Sequence, residues 1–135
     1  MKIILDTNVF ISGIFWSGIP HKILKAWANG QITLIVSQEI LDEYHRVANI
    51  LTHKYPNIDL HGFMQLLLYK VEVVATIKLE EQICREQDDD KFIACALSSD
   101  AKIIVTGDAD LLECTAIQDK ITIITPSNFF HNYLL

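Results

Sequence analysis

Arginine is scarce. Arg46 and Arg85 are the only two in 135 residues, and with Lys+Arg at 11 against Asp+Glu at 17 the formal charge is −6. No basic stripe is left to follow a phosphate backbone, which counts against tight or extended binding of nucleic acid through lysine and arginine alone. Cysteine is limited to Cys84, Cys95 and Cys114. Their odd number, with no C-x-x-C or Cys/His finger spacing, argues against a disulfide framework or a structural zinc site and leaves three reduced thiols. His21, His45, His53, His61 and His131 are equally dispersed, and lone histidines of this kind serve surface and packing rather than metal. No apolar run approaches the roughly 20 residues that span a bilayer, and "MKIIL" lacks the basic, apolar and small-residue succession of a secretory leader. G-x-x-x-x-G-K and G-x-G-x-x-G are missing too, and with them the loops that cradle phosphates by backbone amides. These absences lead to the expectation of a cytoplasmic protein with no membrane-embedded part.

Half of the residues are hydrophobic, enough for one core in a chain of ordinary domain size, roughly 100 to 150 residues. A single domain over 1–135 is expected, with no repeat and no low-complexity linker. Five aliphatic runs, Lys2 to Leu5, Ile32 to Val36, Val71 to Val74, Lys102 to Val105 and Ile121 to Ile124, are rich in Ile and Val. They are continuous rather than alternating, as strands buried on both faces should be. Between them lie stretches of helical period at about His21 to Asn29, Gln38 to His53, Leu60 to Tyr69 and Asp89 to Ser99, with a last one beginning near Pro126. Gly30 stops the first, Ser37 caps the second, and Thr125 caps the last with Pro126 at its first position. Runs and helices in alternation predict an α/β fold, a parallel sheet with helices on both faces.

Several acids fall where solubility does not need them. Ile40, Tyr44, Val47 and Leu51 form one stripe of the second helix, and Glu43 lies three residues from Ile40 and four from Val47, inside the buried arc. A carboxylate there costs several kcal/mol, of the order given for unpaired buried charge, unless it is protonated, hydrogen-bonded or bound to a cation. Asp42 points the opposite way and can pair with Arg46. In "QDDDKFIACAL", Asp88 and Lys91 point away from the inward face of Ile93, Ala96 and Leu97, while Asp89 and Asp90 straddle its axis. Asp88 can cap this helix, yet one cap does not require three aspartates. Asp6 terminates the first strand run, and "VTGDADLL" places Thr106, Asp108 and Asp110 just beyond the fourth. Parallel sheets collect their ligand sites at these carboxyl ends. Four segments thus send Asp6, Glu43, Asp89 or Asp90, and Asp108 toward one edge of the sheet. The set is all oxygen, the choice of Mg²⁺ or Mn²⁺. Such cations lower the pKa of water and offset phosphoryl charge, which suits phosphodiester hydrolysis.

The segments "ILDTNVFIS", "VSQEILDEYHRV", "DDDKFIACAL" and "IVTGDADLL" followed by "IITPSNFF", in this order over the whole chain, resemble the PIN domain nucleases, and within them the toxin components of prokaryotic toxin–antitoxin pairs. The resemblance implies a three-layer α/β/α fold with strand order 3-2-1-4-5 and metal-dependent cleavage of single-stranded RNA, leaving a 5′ phosphate and a 3′ hydroxyl. It assigns the acids to Asp6, Glu43, Asp90 and Asp108, with Asp90 chosen over Asp89 on the resemblance alone, and Asp110 as a lesser candidate. Asn8 and Thr106 match positions that brace the acids by hydrogen bonds. An antitoxin is the implied partner. A homodimer is also implied, with "HKILKAWANG" and "LHGFMQLLLYK" as candidate surfaces. Lys22, Lys25, Arg46 and Lys91 are candidate rim contacts to RNA.

Two rivals remain open on sequence. "IILDTNVF" nearly matches the D-x-D-x-T/V opening of haloacid dehalogenase-type phosphatases, but Asn8 stands where that chemistry needs a carboxyl to donate and recover a proton. The other rival is a catalytically idle interaction module whose acids only cap helices and turns.

Overall fold

The computed structural model describes residues 1–114, 117 and 119–135. In chain order the elements are β1 (Lys2–Leu5), α1 (Thr7–Phe15), α2 (Ile19–Ala28), β2 (Thr33–Val36), α3 (Gln38–Lys54), α4 (Leu60–Lys70), β3 (Glu72–Val73), a 3-10 turn (Gln87–Asp89), α5 (Asp90–Leu97), β4 (Ile103–Val105), α6 (Ala109–Leu112), β5 (Thr122–Ile124) and α7 (Pro126–Phe129). The last helix runs on into a π-helical turn, Phe130–Leu134.

All strand pairs are parallel, and among the described residues the sheet has five strands in the order β3-β2-β1-β4-β5. Parallel neighbours need crossovers, which the helices supply, giving the expected three layers. The central strands are buried on both faces: Ile3, Ile4, Leu34, Ile35, Ile104 and Val105 are closed to solvent, in keeping with their unbroken aliphatic sequence. β3 departs from that expectation. It pairs with β2 through two exposed residues, Glu72 and Val73, and closes the sheet as a short edge, a common way of blunting an edge strand.

Local signals act as their chemistry demands. Ser37 Oγ accepts from the Ile40 amide at 3.2 Å and caps α3. Thr125 Oγ1 does the same for Asn128 at 3.2 Å, with Pro126 at the first position of α7. α2 ends at Gly30, whose φ of 81° only glycine adopts freely. The Gly30 amide bonds to the Trp27 carbonyl and the Gln31 amide to that of Ala26, a Schellman stop. Gly13 serves another purpose. A methyl group there would lie 2.6 Å from Leu24 Cδ1 and 2.9 Å from the Pro20 carbonyl, so its bare backbone lets α1 lie close against α2.

α1 is an element that the periodicity does not reveal. "TNVFISGIF" is apolar nearly all round because it is covered from several sides, with Thr7, Val9, Phe10, Ile11 and Gly13 buried. Phe10 stacks on Tyr44 of α3 at 4.0 Å between centroids, and the Tyr44 hydroxyl donates to the Leu5 carbonyl. This packing fixes α3 against the end of β1. Among the described residues no helix is long and apolar enough to cross a membrane.

Candidate metal centre

Leu5 of β1 lies opposite Val105 of β4, and this register sets the first acid. The chain leaves β1 at Asp6, whose amide donates to the Val105 carbonyl at 2.9 Å. It leaves β4 at Thr106, whose hydroxyl donates to Asp6 Oδ2 at 2.7 Å and accepts from the Asp108 amide at 3.0 Å. A fully buried Thr106 thus orients Asp6 and fixes the turn that carries Asp108. Asp108 Oδ1 accepts from the Asp110 amide at 2.9 Å, so Asp108 caps α6 and draws Asp110 in beside it.

Asp89 reaches the same place from the 3-10 turn. One carboxylate oxygen from each of Asp89, Asp108 and Asp110 lies within 4.8 Å of the other two. Asp89 is 8% exposed, and its Oδ2 is buried with no hydrogen-bond partner among the described residues. Burial, followed by the charges of Asp108, Asp6, Asp110 and Asp88, pushes its carboxyl up to about 6. The Asp6 carboxyl is raised as well. Burial is the main cause, the Thr106 hydrogen bond opposes it, and Asp108 and Glu43 add repulsion.

Glu43 sits at the edge of this group with its side chain 13% exposed, in line with its place in the buried arc. Its oxygens are already engaged. The Thr7 hydroxyl donates to Oε2, while Lys91 Nζ lies 2.7 Å and Arg46 3.6 Å from Oε1. Lys91 was expected to point outward to the rim and is instead buried, held by Glu43 and by Asp88 Oδ1 at 2.8 Å. Burial works against its ammonium, but the hydrogen bonds with Asp88 and Glu43 prevail and hold its pKa above the usual lysine value. Asp88 therefore serves as an ion-pair partner and makes no side-chain cap, and the bond with Lys91 lowers its pKa. Asp42 accepts from Gln38 at 2.8 Å, leaving Arg46 to Glu43.

Asp90, favoured over Asp89 by the resemblance, is not brought into the acid group. Its Oδ1 accepts from the Cys84 amide at 2.7 Å and its Oδ2 from the Ile83 amide at 2.9 Å, so the carboxylate anchors the segment leading to the 3-10 turn. Of the two bracing residues, Thr106 holds Asp6. The exposed Asn8 side chain has no hydrogen-bond partner among the described residues, and the buried Thr7 does the bracing, on Glu43. Lys91 is the site residue whose role sequence reasoning missed. The one signal for it was Glu43, a core-facing carboxylate in need of a counter-charge.

Three close carboxylates, a fourth nearby, no nitrogen or sulfur donor among them and one orphaned buried oxygen form a donor set fitted to a hard divalent cation. A family model described as PIN domain matches residues 2–110, a stretch holding every acid of the site. The uncharacterized protein MJ1680 of Methanocaldococcus jannaschii is 36% identical over 115 residues, covering 83% of this chain and 74% of that one. A chain of the VapBC2 crystal structure from Rickettsia felis, bound to a DNA fragment from their promoter, aligns with a TM-score of 0.52 at 14% identity, over 93% of this chain and 98% of that chain. That likeness is one of fold. With the family model spanning most of the sequence and the site, the chain belongs to the PIN domain family.

Proposed function

We propose that the protein is a metal-dependent endoribonuclease, one nuclease domain over 1–135 that cleaves single-stranded RNA as the cytoplasmic toxin of a toxin–antitoxin pair. The observation that carries this reading is the buried, unpartnered Asp89 oxygen beside the Asp108 and Asp110 carboxylates. Such an arrangement is tolerable when a proton or a cation compensates it. Asp89, Asp108 and Asp110, with Asp6 alongside, are the residues to hold Mg²⁺ or Mn²⁺. When bound, the cation supplies Lewis acidity, lowering the pKa of water and offsetting charge on a phosphoryl group.

The chain's own contribution is orientation. Thr106 fixes Asp6 and the Asp108 turn, Thr7 and Lys91 hold Glu43 at the margin, and Asp90 steadies the segment before Asp89. In this reading Asp89, rather than the expected Asp90, is the ligand, supported by its place beside Asp108 and Asp110. An open groove of about 840 Å³ reaches the Asp88 and Lys91 side of the centre, where the acids Glu39, Glu80, Glu81, Glu86, Asp88 and Asp90 outnumber Lys78 and Lys91. Its acidity disfavours a polyanion, so the RNA phosphate has to be engaged at the cation itself. The fold likeness to a VapBC2 chain supports an antitoxin partner. For a homodimer, α2 offers little, because Ile23, Leu24, Ala26 and Trp27 are spent on the core; α4 leaves Leu66, Leu68 and Tyr69 exposed.

The test is incubation of end-labelled single-stranded RNA with the protein and Mg²⁺ or Mn²⁺. Cleavage should leave 5′ phosphates, stop in EDTA and fall on the order of 100-fold or more in Asp108→Asn, with circular dichroism unchanged. An undiminished rate in that variant refutes the site. Hydrolysis of a small phosphomonoester without RNA cleavage would favour the phosphatase alternative.

A further inference from the structure

The acids of the centre fall into two electrostatic halves. In one, Glu43 and Asp88 face Lys91, whose side chain is 5% exposed. An ammonium has three N–H donors. Those of Lys91 have three acceptors in reach: Glu43 Oε1 at 2.7 Å, Asp88 Oδ1 at 2.8 Å and the Asp88 carbonyl at 2.9 Å. In the other half, Asp89, Asp108 and Asp110 converge. Among the described residues the cation that touches this second half is Arg85, which lies 3.3 Å from Asp110 Oδ1, is 65% exposed and is shared with Glu113 at 2.7 Å.

We infer that Lys91 is a built-in counter-cation for the Glu43–Asp88 half, so that the centre takes a single divalent ion, at Asp89, Asp108 and Asp110, and not a pair. The inference rests on the proposed metal binding and adds its stoichiometry. Two-metal sites place their ions about 3.5–4 Å apart on shared carboxylates, and here a side-chain ammonium already occupies one of the two halves. A second ion at Glu43 would have to compete with the Thr7 hydroxyl at Oε2 and with the ammonium at Oε1. The displaced lysine would stay buried with Asp88 as its one remaining carboxylate partner, which is unfavourable. Lys91 is then a positioning residue. It holds Glu43 and Asp88 in place whether or not metal is bound.

Isothermal titration of the metal-stripped, full-length protein with MnCl₂ tests this, with the electron paramagnetic resonance signal of free Mn²⁺ as an independent count. Wild type should bind one equivalent. Lys91→Met, which vacates the Glu43–Asp88 half, should bind two, and Lys91→Arg should return to one. A merely structural lysine would change stability in the variants and leave the count alone. Two equivalents in wild type, or one in a folded Lys91→Met protein, overturn the inference; should Lys91→Met fail to fold, the wild-type count decides. No binding in wild type would overturn the underlying metal reading together with it, an outcome distinct from a count of two.

Discussion

Replacing Asp89 by asparagine keeps the shape of the side chain and removes one negative charge from the point where the carboxylates converge. In EDTA at pH 7.5 the variant should be more stable than wild type. The wild-type carboxyl titrates near 6 in the fold against 3.8 unperturbed, a displacement of about two pH units. At 1.36 kcal/mol per unit this corresponds to at most about 3 kcal/mol of native-state penalty for the ionised form. Water reaches Asp110, whose side chain is 31% exposed, and screens part of the repulsion, leaving about 1 to 3 kcal/mol. For a chain of this size that is a rise in Tm of about 3 to 10 °C. The sign follows from proton linkage: the unfolded chain releases its proton near 3.8 while the native protein retains it to about 6. Wild type therefore loses stability relative to the variant as pH rises through that window, and the gap is constant above it. Mn²⁺ at about 1,000 times its Kd should reverse the order, since it then adds about 4.1 kcal/mol to the protein that binds it. Urea denaturation followed by circular dichroism, between pH 4.5 and 8 with EDTA or Mn²⁺, measures all of this. An asparagine variant equal to or weaker than wild type in EDTA above pH 6 would refute the claim that these acids strain the metal-free fold.

Two further substitutions probe neighbouring parts of the argument. Asp90→Ala strips the Ile83 and Cys84 amides of their acceptor and should cost about 2–4 kcal/mol, with faster hydrogen exchange at those two amides and Mn²⁺ binding retained; loss of Mn²⁺ binding with intact protection would restore Asp90 to the ligand set. Gly13→Ala drives a methyl into Leu24 and the Pro20 carbonyl and should lower stability by about 1–3 kcal/mol in a thermal melt, so an unchanged Tm would mean that α1 and α2 separate freely.

The sheet was legible because its central strands are enclosed. "KIIL" and "KIIV" read as enclosed strands, as Ile3, Ile4 and Ile104 are closed to solvent, and a five-stranded parallel sheet follows from such runs alternating with helices, whereas the 3-2-1-4-5 order comes from the family resemblance alone. The same enclosure hid other features. α1 is covered from several sides, so its sequence has no polar stripe to betray a 3.6-residue period. Every residue of α5 from Asp90 to Ala96 is buried, and a period-based reading therefore sent Lys91 to the surface when its charge is neutralised inside. Helical period leaves Asp89 and Asp90 unseparated and the resemblance alone favours Asp90; Asp89 ends the 3-10 turn over Gln87–Asp89, whose three residues per turn place side chains differently from an α-helical wheel. The convergence of Asp6 and Asp108 could be read, because adjacent parallel strands bring their carboxyl ends together whatever the loops do. Which oxygen was free could not be read, since that depends on Thr7, Thr106 and the Ile83 and Cys84 amides, partners distant in sequence.

The charge of −6 looks unsuited to the proposed cleavage of RNA, and the arrangement around the centre suggests how that objection is met locally. Asp6, Glu43, Asp88, Asp89, Asp108 and Asp110 cluster there, with Glu113 at the margin through Arg85, and among the described residues Lys91, Arg46 and Arg85 are the cations that touch them, leaving a surplus of four negative charges. One divalent ion would halve that surplus and place its own charge, the largest in the site, at the point a phosphate would approach. A second such ion would require Glu43 to loosen its hold on Lys91. The buried lysine and a single ion together would offset much of the charge gathered at the centre. A strong field around the protein is unnecessary if the substrate is gripped at one point, and that is consistent with a chain that carries two arginines and no basic stripe.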